Sequence, residues 1–135
     1  MIAMVIQWGG IQRVHKNYTV TSTDESNGYK TIYIDISSTT PVLVKITYMY
    51  CRATGGSNHG DDGYKHWKPM FMGYVVGGNH FQLACGCDTP KSSPFFVGEH
   101  ITKANRLYFT VYRCKAGDVI NYRAEYQIGI EVLGG

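Results

Sequence analysis

Long apolar runs are absent from this sequence, and so is any cluster of basic residues. No apolar segment approaches the roughly 20 residues that a membrane-spanning helix needs, so we expect no membrane insertion. The 13 lysines and arginines are scattered singly among 10 acidic residues. A net charge of +3 without a basic stripe argues against a nucleic-acid partner. The first eight residues contain no lysine or arginine, so they lack the charged start of a secretory signal peptide.

The short motifs that mark many enzymes are also missing. The sequence contains no Gly-x-Ser-x-Gly elbow, no His-Glu-x-x-His motif, no P-loop and no dinucleotide-binding glycine motif. Paired carboxylates for acid-base chemistry would have to come from only ten residues, and the adjacent pairs Asp24-Glu25 and Asp61-Asp62 lie in predicted turns. We therefore expect a protein that is not an enzyme.

Alanine, leucine and glutamate are scarce, whereas 16 glycines and 11 tyrosines favour strands joined by turns. At 135 residues the chain has the usual size of one domain, so we expect a single domain over 1–135. Apolar and polar residues alternate with period two in several segments, as in half-buried strands. The predicted strands are Ile2–Trp8, Arg13–Ser22, Tyr29–Ser37, Val42–Tyr50, Trp67–Val76, Asn79–Cys85, Arg106–Cys114 and Val119–Leu133. About eight antiparallel strands predict an all-β, two-sheet sandwich or jelly roll.

The same alternation predicts which side chains share a face. Ile32 and Ile34 are expected on one face and Tyr33 on the other, and Tyr48 and Tyr50 are expected on the same face as Val42, Val44 and Ile46. Two long connections are predicted, over 53–63 and 86–100, the second with an exposed Phe95-Phe96 pair. Any helix should be a single turn, around Glu99–Asn105.

Several tyrosines fall on strand faces opposite the apolar residues. These are Tyr29, Tyr33, Tyr108 and Tyr112. Such rings either form an exposed contact surface, suited to stacking on sugars or to an interface between subunits, or they lie in strands that are buried on both faces.

The four cysteines leave three interpretations open. Cys85 and Cys87 flank one glycine and point to the same side of a strand, but zinc sites favour two to four intervening residues and a second matching pair. Cys51 could form a disulfide with one of the others. Free, mostly buried thiols are the third interpretation, because unpaired cysteine is among the most buried residue types.

The polar loop before Trp67 is the predicted ligand site, since long loops on a sandwich often bind ligands. Its candidate residues are Asn58, His59, Asp61, Asp62, Tyr64, His66 and Trp67. A sugar ring would stack on Tyr64 or Trp67, while the polar side chains hold its hydroxyls. His59, Asp61, Asp62 and His66 could also hold a divalent cation, or they form a solvated turn. No other metal or cofactor is expected.

The segment Ile6-Gln7-Trp8-Gly9 resembles the first strand of C-terminal receptor-binding domains of bacteriophage tail fibres, which are similar to H-type lectins. That resemblance implies a small β-sandwich that forms a homotrimer at the tip of a fibre, as the C-terminal part of a longer polypeptide. It also implies a place on the virion and a surface glycan or protein of the host bacterium as partner.

Three classes of function therefore remain. The chain is a receptor-binding fibre tip, or a structural and assembly element such as a capsid, baseplate or trimerisation domain that binds no ligand, or a free-standing secreted lectin. A secreted lectin would more often pair its cysteines in disulfides than a fibre folded in a reducing cytoplasm.

Overall fold

The computed structural model describes residues 3–54, 68–88 and 93–134. Over these residues the chain forms nine strands and one short helix. The elements are β1 (Met4–Trp8), β2 (Gln12–Thr19), α1 (Ser22–Asn27), β3 (Tyr29–Asp35), β4 (Val42–Thr54), β5 (Lys68–Val76), β6 (Asn79–Asp88), β7 (Phe95–Ala104), β8 (Arg106–Tyr112) and β9 (Val119–Leu133). Within this described part, no helix has the length and apolarity to cross a membrane.

Two antiparallel sheets enclose the apolar core. In the first sheet β4 lies between β9 and β7, and both β1 and β2 pair with β9. The second sheet has the order β3-β8-β5-β6. The core is formed by Val44, Ile46, Met49, Cys51, Met70, Met72, Leu107, Phe109, Val111, Ile120 and Ala124. The predicted all-β, two-sheet sandwich is confirmed for the described residues, with one strand more than the eight predicted.

Alternation along β3 and β8 separates the core from the outer face of the second sheet. Leu107, Phe109 and Val111 are fully buried, whereas Tyr29 and Tyr33 remain exposed on the opposite side. Successive side chains of a strand point to opposite faces, so the prediction for these strands is confirmed. Each of the three buried side chains contributes roughly 1.5–3 kcal/mol relative to an exposed position.

The predicted face of two tyrosines in β4 is wrong. A β-bulge lies between Ile46 and Tyr48, where Thr47 is the extra residue against β9. One extra residue reverses the alternation that follows it. Met49 is therefore buried like Ile46, and Tyr48 and Tyr50 point outward with their side chains half-buried.

The stretch predicted as the connection 86–100 is mostly strand. β6 continues to Asp88, and β7 begins at Phe95 and pairs with β4 along its whole length. The helical turn predicted around Glu99–Asn105 is also wrong, because this segment lies in β7 up to Ala104, and Asn105 links β7 to β8. Two residues of β7, at 98 and 99, oppose one residue of β4, and this irregularity breaks the alternation that would have revealed the strand.

The helix lies elsewhere, at Ser22–Asn27, and its ends follow local capping rules. The Thr21 hydroxyl accepts a hydrogen bond from the backbone N–H of Asp24, and the Asp24 carboxylate accepts one from the backbone N–H of Thr21. This reciprocal capping box satisfies two N–H groups that the helix leaves open. Gly28 ends the helix in the left-handed conformation, with φ of 84°. The Asp24-Glu25 pair, predicted in a turn, is therefore helical.

Asp24 links stability to acid pH. Burial by itself would raise the pKa of Asp24, but the hydrogen bonds from Thr21 and from the Tyr18 hydroxyl (2.7 Å) outweigh burial. With the nearby ammonium of Lys30 (3.9 Å), they lower the pKa below the ordinary value. A carboxylate with a lowered pKa stabilises the fold above the pKa of an ordinary aspartate, and this stabilisation is lost as the pH falls through the folded-state pKa.

We expect Asp24→Asn to reduce the free energy of unfolding by about 1 kcal/mol at pH 7, because charge-assisted hydrogen bonds become neutral ones. Urea denaturation at a series of pH values measures the difference between the two proteins. The difference should shrink as the pH falls below about 4, where an unfolded aspartate is protonated. A difference that stays constant from pH 7 to pH 2 would contradict the assigned role of the carboxylate.

Trp8, the aromatic residue of the Ile-Gln-Trp-Gly segment, is the last residue of β1. It pairs with Gly129, where an added Cβ would lie 2.8 Å from the Trp8 ring. The Lys45 ammonium lies 4.5 Å from the centre of that ring. The backbone N–H of Gly9 then donates to the carbonyl of Ile128 at 2.8 Å. Gly129 thus leaves room for the indole ring, and a side chain there would displace it.

β1 and the end of β9 form a two-stranded extension of the first sheet, the terminal ribbon, defined as 4–8 and 129–133. Pairing between β4 and β9 stops at Ile128, so the ribbon has no third strand among the described residues. Its exposed apolar side chains are Met4, Val5, Ile6, Ile130 and Leu133. An isolated two-stranded ribbon is at best marginally stable in water, and an exposed apolar patch often marks a protein interface.

The cysteines divide into two buried and two exposed thiols. Cys51 and Cys114 are buried, Cys85 and Cys87 are exposed on β6, and all four are free. All four thiols are thus free, but only Cys51 and Cys114 are buried, so the expectation of mostly buried thiols holds for one pair. Burial raises the pKa of both Cys51 and Cys114, for Cys114 to about 11. Both buried groups stay protonated near neutral pH.

This difference predicts the thiol count of the native protein. Because the thiolate is the reactive form, Cys85 and Cys87 should react with a disulfide reagent such as Ellman's reagent in the native state. Cys51 and Cys114 should react only after denaturation. Two thiols titrated before adding guanidinium and four afterwards is the expected result. Four fast thiols in the native protein would contradict the assigned burial.

Candidate functional site

Aromatic rings cover much of the outer face of the second sheet, here called the aromatic face. Tyr29 and Tyr112 lie opposite each other on β3 and β8 with ring centres 5.9 Å apart, and Phe71 meets Tyr112 edge-on at 5.7 Å. Beside them the Thr31 and Thr110 hydroxyls form a 2.9 Å hydrogen bond across the strands. Tyr29, Tyr33 and Tyr112 are exposed in the isolated chain, whereas Tyr108, the fourth ring on this face, is buried with 6% exposure. Three of the four rings are therefore accessible, and whether they form a contact surface stays a prediction.

One end of this face carries a compact polar and aromatic group. The Tyr33 hydroxyl and His80 Nε2 lie 2.9 Å apart, and the His80 ring lies edge-on to Tyr108 at 4.8 Å. The Arg106 guanidinium lies 4.8 Å from the centre of the Tyr33 ring, and its Nε donates to Asp35 Oδ1 at 3.1 Å. Burial and neighbouring tyrosines raise the pKa of Tyr108. Its hydroxyl therefore stays neutral.

Next to this group lies a cleft with a volume of about 450 Å³, here called the Tyr33 cleft. Its lining consists of Tyr33, Ser37, Ser38, Thr39, Val75, Gly77, Gly78, His80, Asn105 and Arg106. The volume lies within the roughly 300–1,000 Å³ typical of small-molecule sites. Aromatic, hydroxyl, amide and guanidinium groups thus converge on one concave surface.

Asn105 holds the two walls of the cleft together. Its Nδ2 donates to the carbonyls of Ser37 (3.3 Å) and Thr39 (3.0 Å). Its Oδ1 accepts from the backbone N–H of Gly77 at 2.8 Å. Its backbone N–H donates to the carbonyl of Val75 at 2.8 Å. Both amide donors and the amide oxygen are engaged in this way, so Asn105 is a positioning residue for the cleft walls.

The turn between β5 and β6 forms the other wall and places His80. Gly77 and Gly78 have φ values of 56° and 89°, which glycine adopts without steric cost and which suit a two-residue hairpin turn. The tight turn brings His80 opposite Val75 in the register of the sheet. The turn at Gly77-Gly78 thus sets the register position of His80, from which its imidazole contacts the Tyr33 hydroxyl.

Every residue of the predicted loop site lies outside the described residues. This applies to Asn58, His59, Asp61, Asp62, Tyr64, His66 and Trp67. The site and the possible cation at His59, Asp61, Asp62 and His66 therefore remain predictions. In residues 3–54, 68–88 and 93–134 there is no group of three or more histidine, cysteine or acidic side chains placed to hold a metal ion.

The Tyr33 cleft was only partly foreseeable from the sequence. The alternation of its strand predicts Tyr33 as an outward ring, and the predicted strands Trp67–Val76 and Asn79–Cys85 leave Gly77-Gly78 as the connection between them. The sequence does not predict the role of Asn105, which follows the unpredicted strand β7, nor that of Arg106, which depends on the pairing of strands. The cleft joins three chain segments, at 33–39, 75–80 and 105–106, and only the pairing of β5 with β8 brings the last two together.

Comparison with known proteins does not assign the chain to a family. No family model, curated protein or solved structure matches it. The chemistry of the cleft therefore carries the functional argument. Flat rings supply apolar contact area, while hydroxyl and guanidinium groups supply directional hydrogen bonds. This combination suits a ligand that has both apolar C–H faces and many hydroxyl groups.

Proposed function

We propose that this protein is a receptor-binding module that recognises carbohydrate through the Tyr33 cleft. The observation that carries the proposal is the convergence of Tyr33, His80 and Arg106 with Ser38 and Thr39 around one cleft of about 450 Å³. Saccharides present C–H faces to aromatic rings and hydroxyl groups to polar side chains, so this surface complements them in both respects.

The contacts of the cleft support a site that is ordered before the ligand arrives. Asp35 holds the Arg106 guanidinium beside the Tyr33 ring, and the Tyr33 hydroxyl is fixed by His80. The Ser37 hydroxyl donates to the carbonyl of Thr40 at 2.7 Å, which leaves its oxygen as an acceptor. A pre-organised site loses less conformational entropy when the ligand binds.

The proposed biological setting is the tip of a bacteriophage tail fibre, where the module would bind a glycan or protein on the host surface. The resemblance of Ile6-Gln7-Trp8-Gly9 to such tips supports this setting, and the cleft supports a glycan as ligand. Affinity per site should be weak, and several sites on one particle would strengthen binding through avidity.

A panel of purified bacterial surface polysaccharides, printed as an array, tests the binding function. We expect the wild-type protein to bind at least one saccharide, and Asn105→Asp to bind it weakly. Aspartate keeps the acceptor for Gly77 but loses both donors that hold the other wall. Failure of the folded wild-type protein to bind any saccharide would overturn the proposal.

The terminal ribbon supports the assembly of several copies, which is the second part of the proposal. We expect light scattering behind size-exclusion chromatography to give a mass near three times 15.1 kDa. Ile130→Glu should yield smaller species, because the 62% exposed side chain would place a charge in an apolar interface. Ile101→Glu, an exposed site on β7, is the matched control and should keep the wild-type mass.

The ribbon also favours one alternative function, an assembly element that binds no ligand. The array and the mass measurement together distinguish the assembly element from the receptor-binding module. An oligomer that retains no saccharide on the array supports the assembly element, whereas a monomer that binds saccharide supports a free-standing lectin. A monomer would also contradict the role given to the ribbon.

A further inference from the structure

The outer face of the first sheet carries an ordered set of basic and amide side chains, on the side of the sandwich opposite the aromatic face. The strand registers place these residues in three rows across β2, β9 and β4. The rows are Arg13, Glu125 and Tyr48; His15, Arg123 and Tyr50; and Asn17, Asn121 and Arg52. These nine residues are here called the arginine face.

Side-chain contacts confirm that the rows share one face. Arg13 Nε donates to Glu125 Oε1 at 3.1 Å. The Arg123 guanidinium lies 5.6 Å from the centre of the Tyr50 ring. Asn121 Nδ2 lies 2.7 Å from Asn17 Oδ1, and it forms a second hydrogen-bond contact with the neighbouring imidazole.

Charge on this face is strongly asymmetric. The nine positions hold three guanidinium groups and one carboxylate, which leaves a formal charge of +2 out of the +3 of the whole chain. Glu125 is engaged by Arg13. Among the described residues no carboxylate forms an ion pair with Arg52 or Arg123. Two arginines therefore keep donors available for an external anion.

A depression of about 200 Å³ lies within this face. It is lined by Arg13, Val14, His15, Tyr48, Arg123, Ala124 and Glu125. At roughly 30 Å³ per water molecule, it has space for a small oxyanion group with part of its hydration. The guanidinium group is planar and presents paired N–H donors, a geometry that suits carboxylate and phosphate oxygens.

We propose that the arginine face is a second binding site, which takes an anionic group carried by a surface saccharide. The carboxylate of an acidic sugar and the phosphate of a sugar phosphate share the required oxygen geometry. Arg123 is its central residue, because it lies between the other two strands and beside the depression. Since the two sites lie on opposite outer faces, this proposal can fail while the Tyr33 cleft still binds saccharide.

Titration calorimetry with three probes at about 0.15 M salt, where the screening length is roughly 8 Å, tests the site. The probes are an alginate tetrasaccharide, glucose 1-phosphate and neutral maltotetraose. We expect one of the two anionic probes to bind, and which one binds identifies the source of the anion. Arg123→Gln should weaken that binding by about tenfold or more, as expected for loss of charge-assisted hydrogen bonds.

Lys16→Gln is the matched control. It removes the same charge from an exposed position of β2 that lies between two face residues and points to the other side of the strand. This variant should bind like the wild type, and circular dichroism should show that both variants remain folded. Equal weakening by both variants would overturn the proposal, because it would indicate net charge alone. The proposal would also be overturned if neither anionic probe binds. It would be overturned as well if neutral maltotetraose binds as tightly as the anionic probe and Arg123→Gln weakens the binding of both.

Discussion

Tyr33→Ala is expected to weaken binding of the saccharide that the wild-type protein retains by about 30-fold, which corresponds to about 2 kcal/mol. The Tyr33 ring is the largest flat apolar surface in the cleft. It also supports the Arg106 guanidinium and bonds His80 through its hydroxyl. Truncation therefore removes direct contact area and also removes the support for the Arg106 guanidinium and the His80 imidazole. Titration calorimetry on the purified protein measures the change.

Tyr29→Ala provides the matched control. Tyr29 lies on the same strand and the same outer face, with an exposure of 47% against 38% for Tyr33, but it does not line the cleft. Its replacement should leave affinity within about twofold. Tyr33→Phe should retain most of the binding, because it keeps the ring and loses only the bond to His80. Equal affinity of Tyr33→Ala and the wild type would remove Tyr33 from the site.

Lys68→Met is expected to produce the largest loss of stability, about 3–5 kcal/mol in the free energy of unfolding. Lys68 Nζ lies 3.0 Å from Asp118 Oδ2, and both side chains are only 1% exposed. The same ammonium donates to the carbonyl of Arg113 at 2.9 Å. The pair joins the start of β5 to the turn before β9, and thus one sheet to the other. Methionine would leave the Asp118 carboxylate buried beside an apolar chain.

Thermal and urea denaturation measure this loss, which corresponds to a fall in Tm of roughly 10–20 °C for a chain of this size. Lys115→Met is the matched control. Its ion pair with Glu25 spans 3.7 Å between side chains that are 47% and 37% exposed, and solvent-exposed pairs contribute roughly 0–1 kcal/mol. Adding Asp118→Asn to Lys68→Met should recover part of the loss, since the buried negative charge disappears. A loss below about 1 kcal/mol for Lys68→Met would contradict the stabilising role assigned to the Lys68–Asp118 ion pair.

The strands that the sequence predicted correctly are those with uninterrupted alternation. β3 keeps its predicted buried and exposed faces. In β8 the side chains of Leu107, Phe109 and Val111 are buried as predicted, and Tyr108 on the other face is buried as well. β4 and β7 each contain a bulge, and a single extra residue changes which side chains face the core. In β4 this reversed the positions of Tyr48 and Tyr50, and in β7 it concealed the whole strand.

The candidate site was harder to predict because its residues meet through sheet pairing. Tyr33 was recognised as an outward ring from its own strand. Arg106 lies over the Tyr33 ring because β3 and β8 pair in an antiparallel register. Other strand orders have the same alternation in sequence but would not bring these two residues together. Asn105 carries no motif, and its role depends on the three segments that it joins.

The arginine face illustrates the same limit. Its arginines are far apart in the sequence, at 13, 52 and 123, so the sequence alone does not predict that they form a cluster. Pairing of β2 and β4 with opposite sides of β9 brings them into adjacent rows. Charge clustering in a β-sandwich is therefore a property of register, and net charge alone does not reveal it.

An NMR titration of the isotopically labelled protein with the saccharide retained on the array locates the binding site. We expect the largest amide shift changes at Tyr33, at 37–39, at 77–80 and at Arg106, around the Tyr33 cleft. Changes concentrated in 58–67 would instead support the loop site predicted from the sequence. If the cleft amides do not move in that experiment, the assignment of the Tyr33 cleft as the binding site is wrong.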